Sequence, residues 1–268
     1  MLKDITLGQY FPGNSPIHLL DPRTKLIVLI AYIVALFGAS GWVTYALCLV
    51  FLGTCIRVST IPLKAIVRGM KPLVMILIFT GVLNLFFTEG ETELVSFLGI
   101  TITLEGLIRA IFMTSRILML ITGTFLLTYT TSPIALTDGL ESLMKPLKAI
   151  RVPVHELSMM MCIALRFIPT LIEETDKIMS AQKARGADFE NGKLMDRVKA
   201  LVPILVPLFI SAFRRADELA TAMECRCYHG GEGRTKMKLL HFKRPDLVAF
   251  LVGAVLLAAV FTLSGFGL

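Results

Sequence analysis

Charge is scarce in this 268-residue chain: Lys, Arg, Asp and Glu make up 18% of it, against 55% hydrophobic residues and a mean hydropathy of +0.73. A globular surface does not tolerate that excess, which excludes a wholly water-soluble chain and leaves a bilayer as the simplest solvent for it. No Asp, Glu or His lies deep in any long apolar run, so a proton or sodium relay has no carrier. Nothing matches Gly-x-x-x-x-Gly-Lys, so any ATP hydrolysis must come from another subunit, and no cofactor is expected. Five cysteines, with Cys48 and Cys55 in an apolar run and Cys162 in a helical one, make no disulfide framework. Cys225, Cys227 and His229 are poor metal ligands, because side chains two apart on a helix diverge by about 200° and no fourth ligand is near. Met1-Leu2-Lys3 leads into polar residues rather than an apolar core, so no cleaved signal is expected. The net charge of +7 is spread along the chain without a compact basic stripe, which argues against a nucleic-acid partner.

What is present is a set of apolar runs at 26–56, 72–88, 106–130 and 247–265. The first would be about 46 Å long as one helix, too long for a hydrocarbon core about 30 Å thick, so Gly38-Ala39-Ser40-Gly41 reads as a turn. The expected fold is an all-α polytopic membrane protein with about five transmembrane helices and a cytoplasmic helical domain of about three. The N-terminal membrane region, 1–130, carries helices at about 22–39, 42–59, 72–88 and 104–130; the cytoplasmic domain takes 131–245; a last transmembrane helix lies in 246–268. Asp21 suits an N-cap with Pro22 as the first helical residue.

Charge sets the expected orientation. Residues 57–71 hold Arg57, Lys64, Arg68 and Lys71 with no acid, whereas 89–105 holds Glu89, Glu91, Glu93 and Glu105 with no base. The first loop is therefore expected inside and the second outside, with a cytoplasmic N-terminus and an extracytoplasmic C-terminus. The 131–245 segment, with eighteen basic and thirteen acidic residues, fits the inner side. Arg109 and Arg116 share one face of the fourth span. They read either as an anion or substrate path or, more economically, as a snorkelling Arg109 and an Arg116 paired with a carbonyl or another helix.

Within the cytoplasmic domain, helices are expected at about 133–147, 154–186 and 195–228, with bends at Pro169, Pro203 and Pro207. Leu136 and Leu140 line the apolar face of the first; Met159, Met160, Ile163 and Phe167 belong to a second that is apolar nearly all round until Glu173. Such a surface either packs within the domain or contacts another protein, and methionine suits the second use because it repacks against varied partners. The two long helices end alike, in Ala184-Arg185-Gly186 and Cys225-Arg226-Cys227. At an offset of 41 residues Ala181 also matches Ala222 and Asp176 matches Asp217. Small neighbours let a helix end approach a partner groove, and the guanidinium offers it a rigid fork of donors. The plainer alternative is that each arginine complements a helix dipole, with Gly186 and Gly230 as helix stops.

Several stretches carry a family resemblance: Leu20-Asp21-Pro22-Arg23-Thr24-Lys25, Arg166-Phe167-Ile168-Pro169, 181–187, 214–220 and 222–228. In these the chain resembles the transmembrane T component of energy-coupling factor transporters, ABC-type importers of vitamins and transition-metal ions. The resemblance implies a non-catalytic coupling domain in which Arg185 and Arg226 each dock into one of two ABC ATPase subunits. It also implies that a membrane-embedded S component binds substrate and meets the apolar faces at 134–172. One departure is visible: the second triplet has cysteine on both sides of its arginine, where that family usually has Ala-Arg-Gly. A stand-alone secondary transporter is the competing reading; it calls for broken helices or mid-membrane carboxylates.

Overall fold

The computed structural model describes residues 10–88, 92–97, 100–187, 194–231 and 239–266. Glu89 and Glu91, on which part of the orientation reading rests, lie outside these. The described chain is almost wholly helical and divides into two compact units, residues 140–239 forming one and the flanking segments the other. Residues up to Gly139 group with the flanking unit, on which the helix there packs: a Cβ at Gly139 would sit 3.0 Å from Pro22.

The flanking unit is built from α1 (Pro16–Leu19), α2 (Pro22–Gly38), α3 (Trp42–Ser59), α4 (Leu63–Met70), α5 (Val74–Phe87), α6 (Leu104–Thr130) and α10 (Arg244–Gly265). Asp21 caps α2 through a 2.9 Å bond from the Arg23 amide, and Pro22 is its first residue, where a missing N–H costs nothing. The turn at residues 39–41 separates α2 from α3. The segment containing Lys64 and Arg68 is not a loop but the short helix α4. A 3-10 turn over Lys71–Leu73 joins α4 to α5, since Pro72 interrupts the ladder. Between α5 and α6 lies a small antiparallel hairpin, β1 (Glu93–Phe97) with β2 (Ile100–Thr103), which the sequence reading did not include.

Aromatic and small residues interlock in the core of this unit. Tyr32, Ala35, Leu36, Tyr45, Cys48, Met119 and Val260 cluster there, and Gly123 lets α6 lie against Tyr32, whose ring a Cβ would approach to 3.2 Å. Two buried charges fasten the helix ends. Lys25 Nζ donates to the carbonyls of His18 (3.2 Å) and Thr130 (2.9 Å) and to Thr131 Oγ1 (3.3 Å). The Asp246 carboxylate accepts from the amides of Asp21 (2.8 Å) and Lys243 (2.7 Å), tying the start of α10 to the start of α2. Thus the Leu20–Lys25 stretch is a structural knot: cap, first-turn proline and a lysine that satisfies orphan carbonyls.

Outward faces are apolar. Met75, Ile78 and Phe79 on α5 and Leu247, Leu251 and Val255 on α10 are all exposed, an arrangement only hydrocarbon or another protein stabilises. Among the described residues, five helical stretches are long and apolar enough to cross a membrane: Trp42–Ser59, Leu63–Phe87, Leu104–Thr130, Val154–Ala184 and Arg244–Gly265. Helix α2, at 17 residues, falls just short of that length.

The other unit comprises the end of α7 (Pro133–Met144), a 3-10 turn over Lys145–Ile150, α8 (Val154–Ala184) and α9 (Leu194–Glu224). Arg151 closes the 3-10 turn in the left-handed conformation (φ 63°), with its amide bonded to Lys148. Buried Glu141 on α7 receives the Ser158 hydroxyl (3.0 Å) and lies 3.4 Å from His155 Nδ1, which joins α7 to the first turns of α8.

Candidate functional site

Both arginine triplets sit at helix ends of one design. In α8, Arg185 is the C-cap and Gly186 follows at φ +89°. The Ala187 amide returns to the Gln182 carbonyl and the Gly186 amide to the Lys183 carbonyl, each at 3.0 Å. In α9 the Tyr228 amide returns to Met223 (3.0 Å) and the Cys227 amide to Glu224 (2.8 Å). This pair of bonds is the Schellman closure, which needs a left-handed residue just after the cap. Glycine supplies it in α8; Cys227, at φ 55°, supplies it in α9. Gly230, which the sequence suggests as the second stop, is not the one: the helix has already closed three residues earlier.

The closure explains why the triplets look alike. It turns the chain away directly after the arginine, so the guanidinium stands at the tip instead of lying along a continuing helix. Ala184, Arg185, Gly186, Cys225, Arg226 and Cys227 are all exposed. Among the described residues, the side chains of Arg185 and Arg226 make no hydrogen bond or ion pair, their amides being used in the helix closures. Each tip presents an unoccupied fork of donors on a capped, backbone-satisfied helix end.

The helices bearing these tips are joined to each other. Arg215 Nη2 on α9 donates to Glu174 Oε2 on α8 at 2.8 Å, and the Ser211 hydroxyl donates to Glu174 Oε1. Further along, Gln182 Nε2 reaches the Pro203 carbonyl at 3.5 Å. That carbonyl is free because its helical partner four residues on, Pro207, has no N–H.

The apolar residues singled out from sequence fall on two helices. Leu136 and Leu140 lie on α7, half-buried. On α8, Met159, Ile163 and Phe167 recur every four residues and so share a face; all three are half-buried, whereas Met160 beside them is 54% exposed. The broadest apolar surface of this unit was missed. On α9, Val202, Val206, Phe209 and Phe213 follow helical spacing, with Leu201, Leu205 and Ile210 alongside, and all are exposed. The signal was available in the run Leu201–Pro207, but apolar composition alone does not say which faces a neighbouring helix leaves open.

Arg116 is a strut. Its Nη2 donates to the Ala39 carbonyl at 3.0 Å in the α2–α3 turn, and the guanidinium lies over the rings of Phe37 and Tyr45, 5.7 Å from each centroid. Arg109 is exposed. The more economical of the two readings of this pair therefore describes Arg116.

Comparison with known proteins agrees over nearly the full length. Residues 13–237 match the CbiQ family, described as cobalt transport protein. The chain is 56% identical to the energy-coupling factor transporter transmembrane protein EcfT of Thermosediminibacter oceani, over 95% of this chain and 96% of that relative. EcfT of Clostridium kluyveri is 55% identical, over 96% and 95% of the two chains. EcfT of Bacillus subtilis is 48% identical, over 97% and 98%.

Proposed function

This chain belongs to the CbiQ family as an EcfT-type transmembrane protein of energy-coupling factor transporters, and from that premise we propose that it is the non-catalytic scaffold coupling two ABC ATPases to a substrate-binding S component. The observation that carries this reading is the pair of exposed arginines, Arg185 and Arg226, each on a Schellman-closed helix end with no side-chain partner among the described residues. A fork of donors on a rigid tip suits the carboxylates and carbonyls of a groove in a nucleotide-hydrolysing partner. Two related tips suit two related ATPase subunits, and the T component itself supplies no catalytic group.

The S component, which would bind the vitamin or transition-metal ion, is met by apolar surface. Leu136 and Leu140 on α7 and Met159, Met160, Ile163 and Phe167 on α8 contribute to it, and the exposed face of α9 through Phe209 and Phe213 enlarges it. In this reading α2, α3, the Leu63–Phe87 stretch, α6 and α10 lie in the prokaryotic cell membrane. Residues 140–239 are cytosolic, the N-terminus is inside and the C-terminus outside. Helix α8, although apolar enough to span, carries Glu173, Glu174, Asp176 and Lys177 in its second half and serves better as a coupling helix than as a span.

The test is direct. Arg185→Ala and Arg226→Ala, singly and together, are assayed for ATPase co-purification and for uptake by the assembled transporter. Loss of a buried charged contact should cost roughly 2–5 kcal/mol of attachment per site. If the double variant keeps both ATPases and full uptake, the docking role is wrong.

A further inference from the structure

The offset of 41 residues that superposes Arg185 on Arg226 also superposes Glu174 on Arg215. These two equivalent residues are the ones that meet, at 2.8 Å. Eight residues further along α8, Gln182 meets Pro203, twelve residues before Arg215 on α9, so the two helices pass in opposite directions. Equivalent positions of two related helices can touch only where a local two-fold axis runs between them, and the Glu174–Arg215 pair marks that axis. Ser211, which completes the clamp, is itself the counterpart of another hydroxyl residue, Thr170. Arg185 and Arg226 each lie eleven residues beyond the pair, about 16 Å along their own helices.

A two-fold crossing has an electrostatic difficulty: an unmodified repeat would bring like charges together at the axis. The two helices avoid it by reversing sign. Glu173 faces its counterpart Arg214 in the alignment, Glu174 its counterpart Arg215, Lys177 its counterpart Glu218 and Lys183 its counterpart Glu224. Sign is kept at Asp176 with Asp217 and at the arginine tips themselves. Inversion at the Glu174–Arg215 contact itself, combined with identity at Arg185 and Arg226, separates two jobs along one helix.

We propose that Glu174 and Arg215 form the pivot pin of the α8–α9 pair, positioning residues that fix where the helices cross while their arms turn about the pair. The inference rests on the reading of Arg185 and Arg226 as docking tips. Rotation about an axis leaves points on it in place, so the pin survives when the arms open or close. Sliding one helix past the other by a turn, about 5.4 Å, breaks it. Displacement of the tips by the ATPases is thereby delivered to the apolar faces instead of being lost as slip.

The experiment uses the complete transporter, reconstituted in liposomes, with three variants: Glu174→Gln, Glu174→Arg, and the exchange Glu174→Arg with Arg215→Glu. In the exchange a glutamate at 215 would find Thr170 where Glu174 now finds Ser211, so the inverted pin can form. Uptake per ATP hydrolysed should fall about tenfold in Glu174→Arg, less in Glu174→Gln, and recover to within about threefold in the exchange, all with both ATPases attached. Spin labels at the exposed counterparts Ser180 and Thr221, on a cysteine-free background, should give a broadened distance distribution in the single variants and a narrow one in the exchange. An exchange no better than Glu174→Arg overturns the pivot, as does unchanged uptake per ATP in both single variants. Parallel loss of ATPase attachment and uptake in every variant would make the pair a folding element only, and overturns it too. Failure of the docking reading shows itself separately, as full assembly when Arg185 and Arg226 are both replaced.

Discussion

The two helix closures invite opposite substitutions. At Gly186 a Cβ would meet no atom within 4 Å, so Gly186→Ala tests the φ of +89° and nothing else. A left-handed conformation costs a side-chain-bearing residue about 1–2 kcal/mol. Restricting the unfolded chain returns about 0.4–1 kcal/mol. The net penalty is near 1 kcal/mol, confined to the last turn of α8. At the equivalent place in α9 that penalty is already present, because Cys227 holds φ 55°, and Cys227→Gly should regain about 0.5–1 kcal/mol by the same arithmetic. Amide hydrogen exchange reads each closure locally. The Gly186 and Ala187 amides should exchange about fivefold faster in Gly186→Ala, and the Cys227 and Tyr228 amides a few-fold slower in Cys227→Gly. Each unaltered end serves as the internal control for the other. Equal protection in both variants, or shifts of the same sign, would refute the claim that backbone conformation fixes these tips.

Other expectations are of the same kind. Lys25→Met strips two carbonyls and one hydroxyl of their donor and should cost roughly 2–4 kcal/mol, seen as a lower unfolding midpoint in detergent; an unchanged midpoint would show the lysine to be dispensable. Gly123→Leu drives a side chain into Tyr32, with an expected loss of about 1–3 kcal/mol by the same measurement. Phe209→Ser with Phe213→Ser should leave thermal stability and ATPase attachment intact, because both rings are exposed, while S-component co-purification drops; equal loss of both partners would contradict the assignment of this face.

Much of the fold was legible because its signals are local. The excess of apolar residues requires a bilayer, and Asp21 followed by Pro22 announces a helix start through hydrogen bonds only two residues long. The repeated triplets also stood out, since a helix end is closed by its own last turn. The Lys71–Leu73 turn is less legible: Pro72 suggests the opening of a span, yet the two amphipathic turns before it, with Ile66 buried, fold as α4 and make one helical stretch, Leu63–Phe87, of the loop and the span.

Composition, caps and the 41-residue repeat were therefore set by the sequence alone, because each depends on residues within a few positions or on a count over all of them. The tertiary structure decided what depends on contacts between distant segments. It gave Arg116 the Ala39 carbonyl, left the α9 face bare, and brought Glu174 to Arg215. A helix can carry its charges in any of several pairings until a second helix crosses it, and only the crossing determines which residue meets its counterpart.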